Sequence, residues 1–324
     1  MTMLIRRRKI VLGILAVAIA LPLAMGLLGA LFFHALNPVL LGVSDQTHDF
    51  IVSSGRKREY VLYVPRTYDR AQPTPLVISM HAAALWPAAQ MEISQWNKLA
   101  DQYGLIVVYP SGIGIAPVPL LPRLPVWRVE SEAGLKEDVR FISELIDRLE
   151  VTYNIDPARI YANGFSNGGA MAFVLSCTLS DRIAAVGTVA AAQALPWSWC
   201  KDDRVVPMIA FHGTADGLVP YRGGSSWAAP GPFPSVPVWA ANWARRNRCG
   251  PNPLESVVAA DVTRVEYTNC AEDAAVVLYS VQGGGHSWPG GKPIPEWMVG
   301  PTSNSIDATG QMWAFFRLHR LPRK

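Results

Sequence analysis

Gly164-Phe165-Ser166-Asn167-Gly168-Gly169 follows Ile160-Tyr161-Ala162, a short apolar run, and precedes residues 171–179, whose composition suits a helix. Asn154-Ile155-Asp156-Pro157 marks a turn just upstream. A serine set between small residues at a strand-to-helix junction reads as a nucleophile elbow. The tight turn lifts the serine Oγ above the sheet. It also leaves the next backbone N–H, that of Asn167, free to bind an oxyanion. The pattern by itself recurs by chance in glycine-rich chains; its place between strand and helix makes it specific.

Outward from the elbow, the chain alternates apolar runs with amphipathic stretches. Residues 60–64 read as an opening strand stopped by Pro65, and 76–80 as a strand covered on both faces. A helix is expected over 91–103, closed by Gly104, and a strand over 105–109. Residues 136–153 place Val139, Ile142, Leu145, Ile146 and Leu149 on one helical face. Further strands are expected at 184–190, 207–211 and 275–281, and a closing helix at 306–319. This order implies an α/β fold with a mostly parallel, doubly wound sheet. Two loops interrupt it, the Pro/Leu-rich 113–129 and the Gly/Ser/Pro-rich 223–237. Both follow strand C-terminal ends, where open α/β sheets bind ligands. Their aromatics Trp127, Trp227 and Phe233 suggest walls of a pocket.

A serine nucleophile needs a base, and the base needs an orienting acid. Among six histidines, His34 abuts an apolar segment, His48 lies in a linker and His319 on the last helix. His81 and His212 each follow a strand directly. His286 sits in Gly283-Gly284-Gly285-His286-Ser287-Trp288-Pro289-Gly290-Gly291, a glycine-rich loop able to carry an imidazole over the serine. Elbow enzymes run Ser, then acid, then His along the chain; only His212 and His286 lie after Ser166, and His286 leaves more room for an acid between. Of the aspartates between, Asp216 leaves an apolar strand, in Met208-Ile209-Ala210-Phe211-His212-Gly213-Thr214-Ala215-Asp216. Ser166, Asp216 and His286 are therefore the expected triad. The oxyanion donors are expected to be the N–H groups of Asn167 and of Ala83, in the loop His81-Ala82-Ala83-Ala84. His81, Trp127 and Trp288 are candidates for the substrate pocket.

Composition narrows the class further. The chain has 324 residues, half of them hydrophobic, 17% charged, with a net charge of +4. Part of the basic excess is Arg6-Arg7-Arg8-Lys9, so no nucleic-acid-binding surface is indicated. Residues 1–9 read as a basic cytoplasmic region and 10–33, without a charge, as a transmembrane anchor or signal segment. An uncleaved anchor fits better than a cleaved signal, because the apolar run continues past Ala18-Ile19-Ala20. Residues 34–49 then form a linker, and 50–324 the exported catalytic domain. All four cysteines, Cys177, Cys200, Cys249 and Cys270, fall in that domain, and an even count in an oxidising compartment suggests two disulfides. Three pairings are open. No Cys-x-x-Cys spacing points to a metal, and no cofactor is called for.

Gly-Phe-Ser-Asn-Gly-Gly, His-Gly-Thr-Ala-Asp-Gly-Leu-Val-Pro-Tyr (212–221) and Gly-Gly-Gly-His-Ser-Trp-Pro-Gly-Gly (283–291) together resemble the polyhydroxybutyrate depolymerase and feruloyl esterase family of secreted α/β-hydrolases. The similarity runs from about Tyr60 to His319. It implies an α/β-hydrolase fold, the same triad, and disulfides Cys177–Cys200 and Cys249–Cys270. One departure stands out: the family's small or glycine residues after the His that follows the third strand are here three alanines. Were Ala82 to adopt a positive φ, its Cβ would cost about 1 kcal/mol, and Ala82→Gly would preserve or raise activity. The resemblance implies a serine esterase acting through an acyl-enzyme. A serine peptidase and a non-catalytic binding protein on a decayed hydrolase fold are the competing classes. Only five residues follow the expected closing helix, which favours a small soluble ester over a solid polymer. A short aliphatic acyl group is preferred over an aryl one such as ferulate.

Overall fold

The computed structural model describes residues 47–114, 124–129, 132–192, 195, 197–200, 204–226 and 229–322. The expected anchor 10–33, most of the linker, residues 115–123 of the first irregular loop, and Trp227 lie outside them. Among the described residues no helix is long and apolar enough to cross a membrane.

Among the described residues, twelve strands and seven α-helices follow in order. They are β1 (Thr47–Ser53), β2 (Arg56–Tyr63), β3 (Thr74–Met80), α1 (Pro87–Ser94), α2 (Trp96–Tyr103), β4 (Ile106–Pro110), α3 (Glu132–Thr152), β5 (Ile155–Phe165) and α4 (Asn167–Thr178). After them come β6 (Ala185–Val189), β7 (Met208–Gly213), β8 (Gly224–Ser226), β9 (Ala229–Phe233) and α5 (Val236–Arg246). β10 (Leu254–Ala259), β11 (Val262–Tyr267), β12 (Val276–Val281), α6 (Glu296–Val299) and α7 (Ala308–Phe316) complete the chain. Ten strands form one sheet in the order β1-β2-β4-β3-β5-β6-β7-β12-β11-β10. The six from β4 to β12 run parallel, and antiparallel hairpins flank them at both edges.

Strand pleating sends alternate residues to opposite faces. Leu76, Ile78 and Met80 of β3 pack with Phe141 and Ile142 of α3, Phe173 of α4 and Trp239 of α5. Val77 and Tyr161 face the other side, with Trp96 of α2 and Trp313 and Phe316 of α7. Both faces are thus covered, which is why the central strands read as unbroken apolar runs. The disulfides are Cys177–Cys200 and Cys249–Cys270.

Three expectations change. β1 begins at Thr47, inside the stretch read as linker, and pairs along the whole of β2. The single helix over 91–103 is two helices. Gln95 adopts a left-handed φ of 56°, closing α1 and redirecting α2 so that Trp96 is fully buried and donates to Asn163 Oδ1. The β10–β11 hairpin is a further departure from the expected order: β10 is largely exposed, and its apolar run is only residues 257–260.

Candidate active site

Ser166 leaves β5 with φ 53° and ψ −118°, a conformation L-residues avoid. Its N–H donates to Val189 O on β6, and its carbonyl accepts the Ala170 N–H of the first turn of α4. The small neighbours are obligatory. A Cβ on Gly164 would lie 2.2 Å from the backbone carbon of Gly168, and one on Gly168 would lie 2.2 Å from Met80 O. The serine therefore sits at the C-terminal edge of the parallel sheet, against the loop that leaves β3.

The loop after β7 brings Asp216 to the same edge, and the loop after β12 brings His286. His286 Nδ1 lies 2.8 Å from Asp216 Oδ2, and its ring packs 5.1 Å from that of Phe165, the residue before Ser166. Two backbone bonds hold the histidine: its N–H donates to Val299 O and that of Gly285 to Pro301 O. Asp216 Oδ1 accepts the N–H groups of Leu218 and Val219, both at 2.8 Å. A further partner was missed in the sequence: His212 Nε2 lies 3.2 Å from the same Oδ2 that holds His286. Burial alone would raise the Asp216 carboxyl. The bonds from His212 and His286 outweigh it and hold the carboxyl well below its ordinary range. With Nδ1 committed to the carboxylate, Nε2 is the His286 nitrogen for proton exchange with a serine.

The loop after β3 is a four-residue turn in which the Leu85 N–H donates to Ala82 O. The left-handed residue is Ala84, at φ 61°, not Ala82. A turn of this kind takes positive φ at its third position, and Ala84 occupies it. Ala82 has an ordinary φ, and its methyl is buried in the core. We therefore expect Ala84→Gly to raise the melting temperature, because it removes a Cβ that costs about 1 kcal/mol in this region. Ala82→Gly should lower it, by lost packing. Thermal unfolding of the two variants in parallel checks both signs.

His81, expected to line a pocket, is fully buried. Its Nε2 accepts the Gly112 N–H at 3.0 Å, so Nδ1 carries the proton and donates to Ala82 O at 2.7 Å. The Ala82 carbonyl is thus held by two donors, and the Ala83 N–H of the same planar peptide is fixed in the opposite direction. Trp127 is also buried, not a wall: its Nε1–H donates to His81 O at 3.1 Å. Its main chain pairs with the Asn167 side chain, N to Oδ1 at 2.7 Å and O to Nδ2 at 3.0 Å. Pro125 O accepts the Ala84 N–H. Segment 125–127 thereby braces the alanine turn against the residue after Ser166. Trp288 is likewise core, with Nε1–H bonded to Thr309 Oγ1 and its ring edge-on to Phe165. Both tryptophans sit in irregular loops that fold inward and bury them.

Burial pulls His81 down to about 4, and His319 likewise. A folded-state value below the ordinary one means that between about pH 6.5 and 4 the unfolded chain takes a proton the folded chain refuses. Stability is then complete above about pH 6.5 and falls as pH falls through that window, by about 3 kcal/mol for His81 alone. Protonation of His81 Nε2 would set a donor against the Gly112 N–H. Urea unfolding at pH 7 and pH 4.5 should show this loss, and His81→Gln should show a smaller pH dependence. An equal dependence in both would refute it.

The phospholipase/carboxylesterase family model matches residues 123–229, a span that includes Ser166 and Asp216. Feruloyl esterase B of Piromyces equi is 31% identical over 246 residues, covering 72% of this chain and 44% of that protein. The bifunctional acetylxylan esterase/xylanase of Neocallimastix patriciarum is 31% identical over 176 residues, covering 54% of this chain and 24% of that one. The chain therefore spans less than half the length of either relative. In fold it is similar to the acetyl xylan esterase from Aspergillus awamori, with a TM-score of 0.59, 16% identity, and coverage of 84% of this chain and 98% of that one. The sheet order, the serine elbow and these relatives support a feruloyl esterase-like family of α/β-hydrolases for this chain.

Proposed function

We propose that this chain is an exported serine esterase that cleaves small carboxylic esters through an acyl-enzyme. Ser166 Oγ attacks the ester carbonyl while His286 Nε2 takes its proton. Asp216 holds Nδ1 and stabilises the imidazolium. The N–H groups of Asn167 and Ala83 receive the tetrahedral oxyanion, which collapses as His286 returns the proton to the departing alcohol. Water, activated by the same imidazole, then releases the acid. The observation that carries this reading is the 2.8 Å bond between His286 and a fully bonded, buried Asp216, at the sheet edge where Ser166 turns into α4.

The substrate class follows the relatives, whose names specify feruloyl and acetylxylan esters. A small acyl group on a soluble alcohol is favoured. Two disulfides suit an oxidising compartment, and residues 10–33 would anchor the chain there. A fluorophosphonate probe should label Ser166 alone, as shown by peptide mapping. Failure to label would favour the non-catalytic reading. A panel of p-nitrophenyl esters of increasing chain length, with methyl ferulate and acetylated xylan alongside, then assigns the acyl group. Faster cleavage of peptide anilides than of any ester would favour a peptidase instead.

A further inference from the structure

His212 is buried near the C-terminal end of β7 and has no part in the steps above. Its Nε2 faces two acceptors, Val219 O at 2.8 Å and Asp216 Oδ2 at 3.2 Å. A carbonyl and a carboxylate both require a donor, so the proton is on Nε2 and is shared between them. Oδ1 of Asp216 is already taken by two N–H groups, and Oδ2 by His286. His212 is the fourth donor on a carboxylate that has room for about four.

We infer that His212 is a positioning residue that tempers the base: by donating to the oxygen that also holds His286, it limits how strongly Asp216 draws a proton onto His286. The inference rests on the reading of His286 as the base. Charge on a carboxylate oxygen shared between two donors is partly spent on each, so either bond is weaker than it would be alone. Among the described residues, Tyr221 is a further titratable group beside this pair: its ring lies 6.0 Å from that of His212, and its hydroxyl bonds Ser280 Oγ at 2.6 Å. Ser280 pairs with His212 across β12 and β7. The competing role for His212 is scaffolding, in which it only ties the 213–219 loop through Val219 O.

The two roles predict shifts of opposite sign. If His212 only scaffolds, its removal slackens Asp216, and the acidic limb of the pH profile, which reports His286, stays or moves down. If it tempers the carboxylate, removal concentrates the charge on His286, and the limb moves up. We expect His212→Phe to move the acidic limb of kcat/KM for p-nitrophenyl acetate up by about 0.5–1 pH unit. His212→Gln, whose amide N–H can reach the same oxygen, should keep the limb near that of the unmodified protein. A limb that stays or moves down in the Phe variant overturns the inference. Nitrogen-15 NMR of the unmodified protein tests it even where the Phe variant does not fold. His212 must show the Nε2–H tautomer, with the Nε2–H proton moving upfield in Asp216→Ala; an Nδ1–H tautomer overturns the inference. Absence of ester hydrolysis and of Ser166 labelling in the unmodified protein would count against the proposed function, while the NMR result would still decide the role of His212.

Discussion

Ser166→Ala should reduce turnover of p-nitrophenyl acetate by about four to six orders of magnitude while the protein keeps its fold. The residue makes its structural bonds through the backbone: N–H to Val189 O, and carbonyl to Ala170 N–H. Its side chain is therefore dispensable for the turn. Asp216→Asn should be nearly as severe, about 10⁴-fold. An amide there turns an N–H toward one of two imidazoles that both donate to Oδ2, so the bond network that orients His286 cannot close. Members of one catalytic unit are not additive, so Ser166→Ala combined with His286→Ala should be no slower than Ser166→Ala alone. Initial rates and thermal melts on the same preparations check all three variants. Near-full activity in Asp216→Asn would show that another group orients the base.

Why the elbow and the Asp216–His286 pair were legible and their surroundings were not has a physical explanation. Ser166, Asp216 and His286 lie on loops whose glycines and flanking apolar strands are local features, readable one segment at a time. The central strands 76–80, 105–109 and 207–211 read correctly for the same reason, since burial on both faces leaves a continuous apolar run. What could not be read depends on contacts between segments far apart in sequence. Chain order favours His286 over His212 as the base, because His286 leaves more room for an acid after Ser166. Chain order does not reveal that His212, four residues before Asp216, reaches the same carboxylate. Asn167 was valued for its N–H, yet its side chain pairs with Trp127, forty residues upstream. Trp127 and Trp288, candidates for the substrate pocket, are buried in the core. Composition reports that a loop is irregular but not whether it folds outward or in. The left-handed residue of the alanine turn was expected at Ala82 and falls at Ala84, since the turn register is set by bonds to Leu85 and Pro125.

The elbow also predicts the largest effect of a single methyl group. A Cβ on Gly168 would lie 2.2 Å from Met80 O and 2.6 Å from His81 O. Both are backbone atoms at the end of β3, so neither can swing aside as a flexible side chain would. The start of α4 and the loop after β3 would have to separate by roughly 1 Å to restore ordinary contact distance. In the proposed mechanism those two elements carry the two oxyanion donors, Asn167 on α4 and Ala83 on the loop. A displacement of this size in catalytic geometry costs on the order of 10² in rate, and the overpacking itself about 1–3 kcal/mol of stability. We therefore expect Gly168→Ala to lose at least 10²-fold in kcat, with a lower melting temperature. Gly217→Ala is the matched control, because a Cβ there meets nothing within 4 Å and Gly217 lies beside Asp216. It should leave both rate and melting temperature close to those of the unmodified protein. A Gly168→Ala enzyme that kept its kcat would mean that the two elements need not touch for catalysis, and the assignment of Ala83 as the second donor would fall.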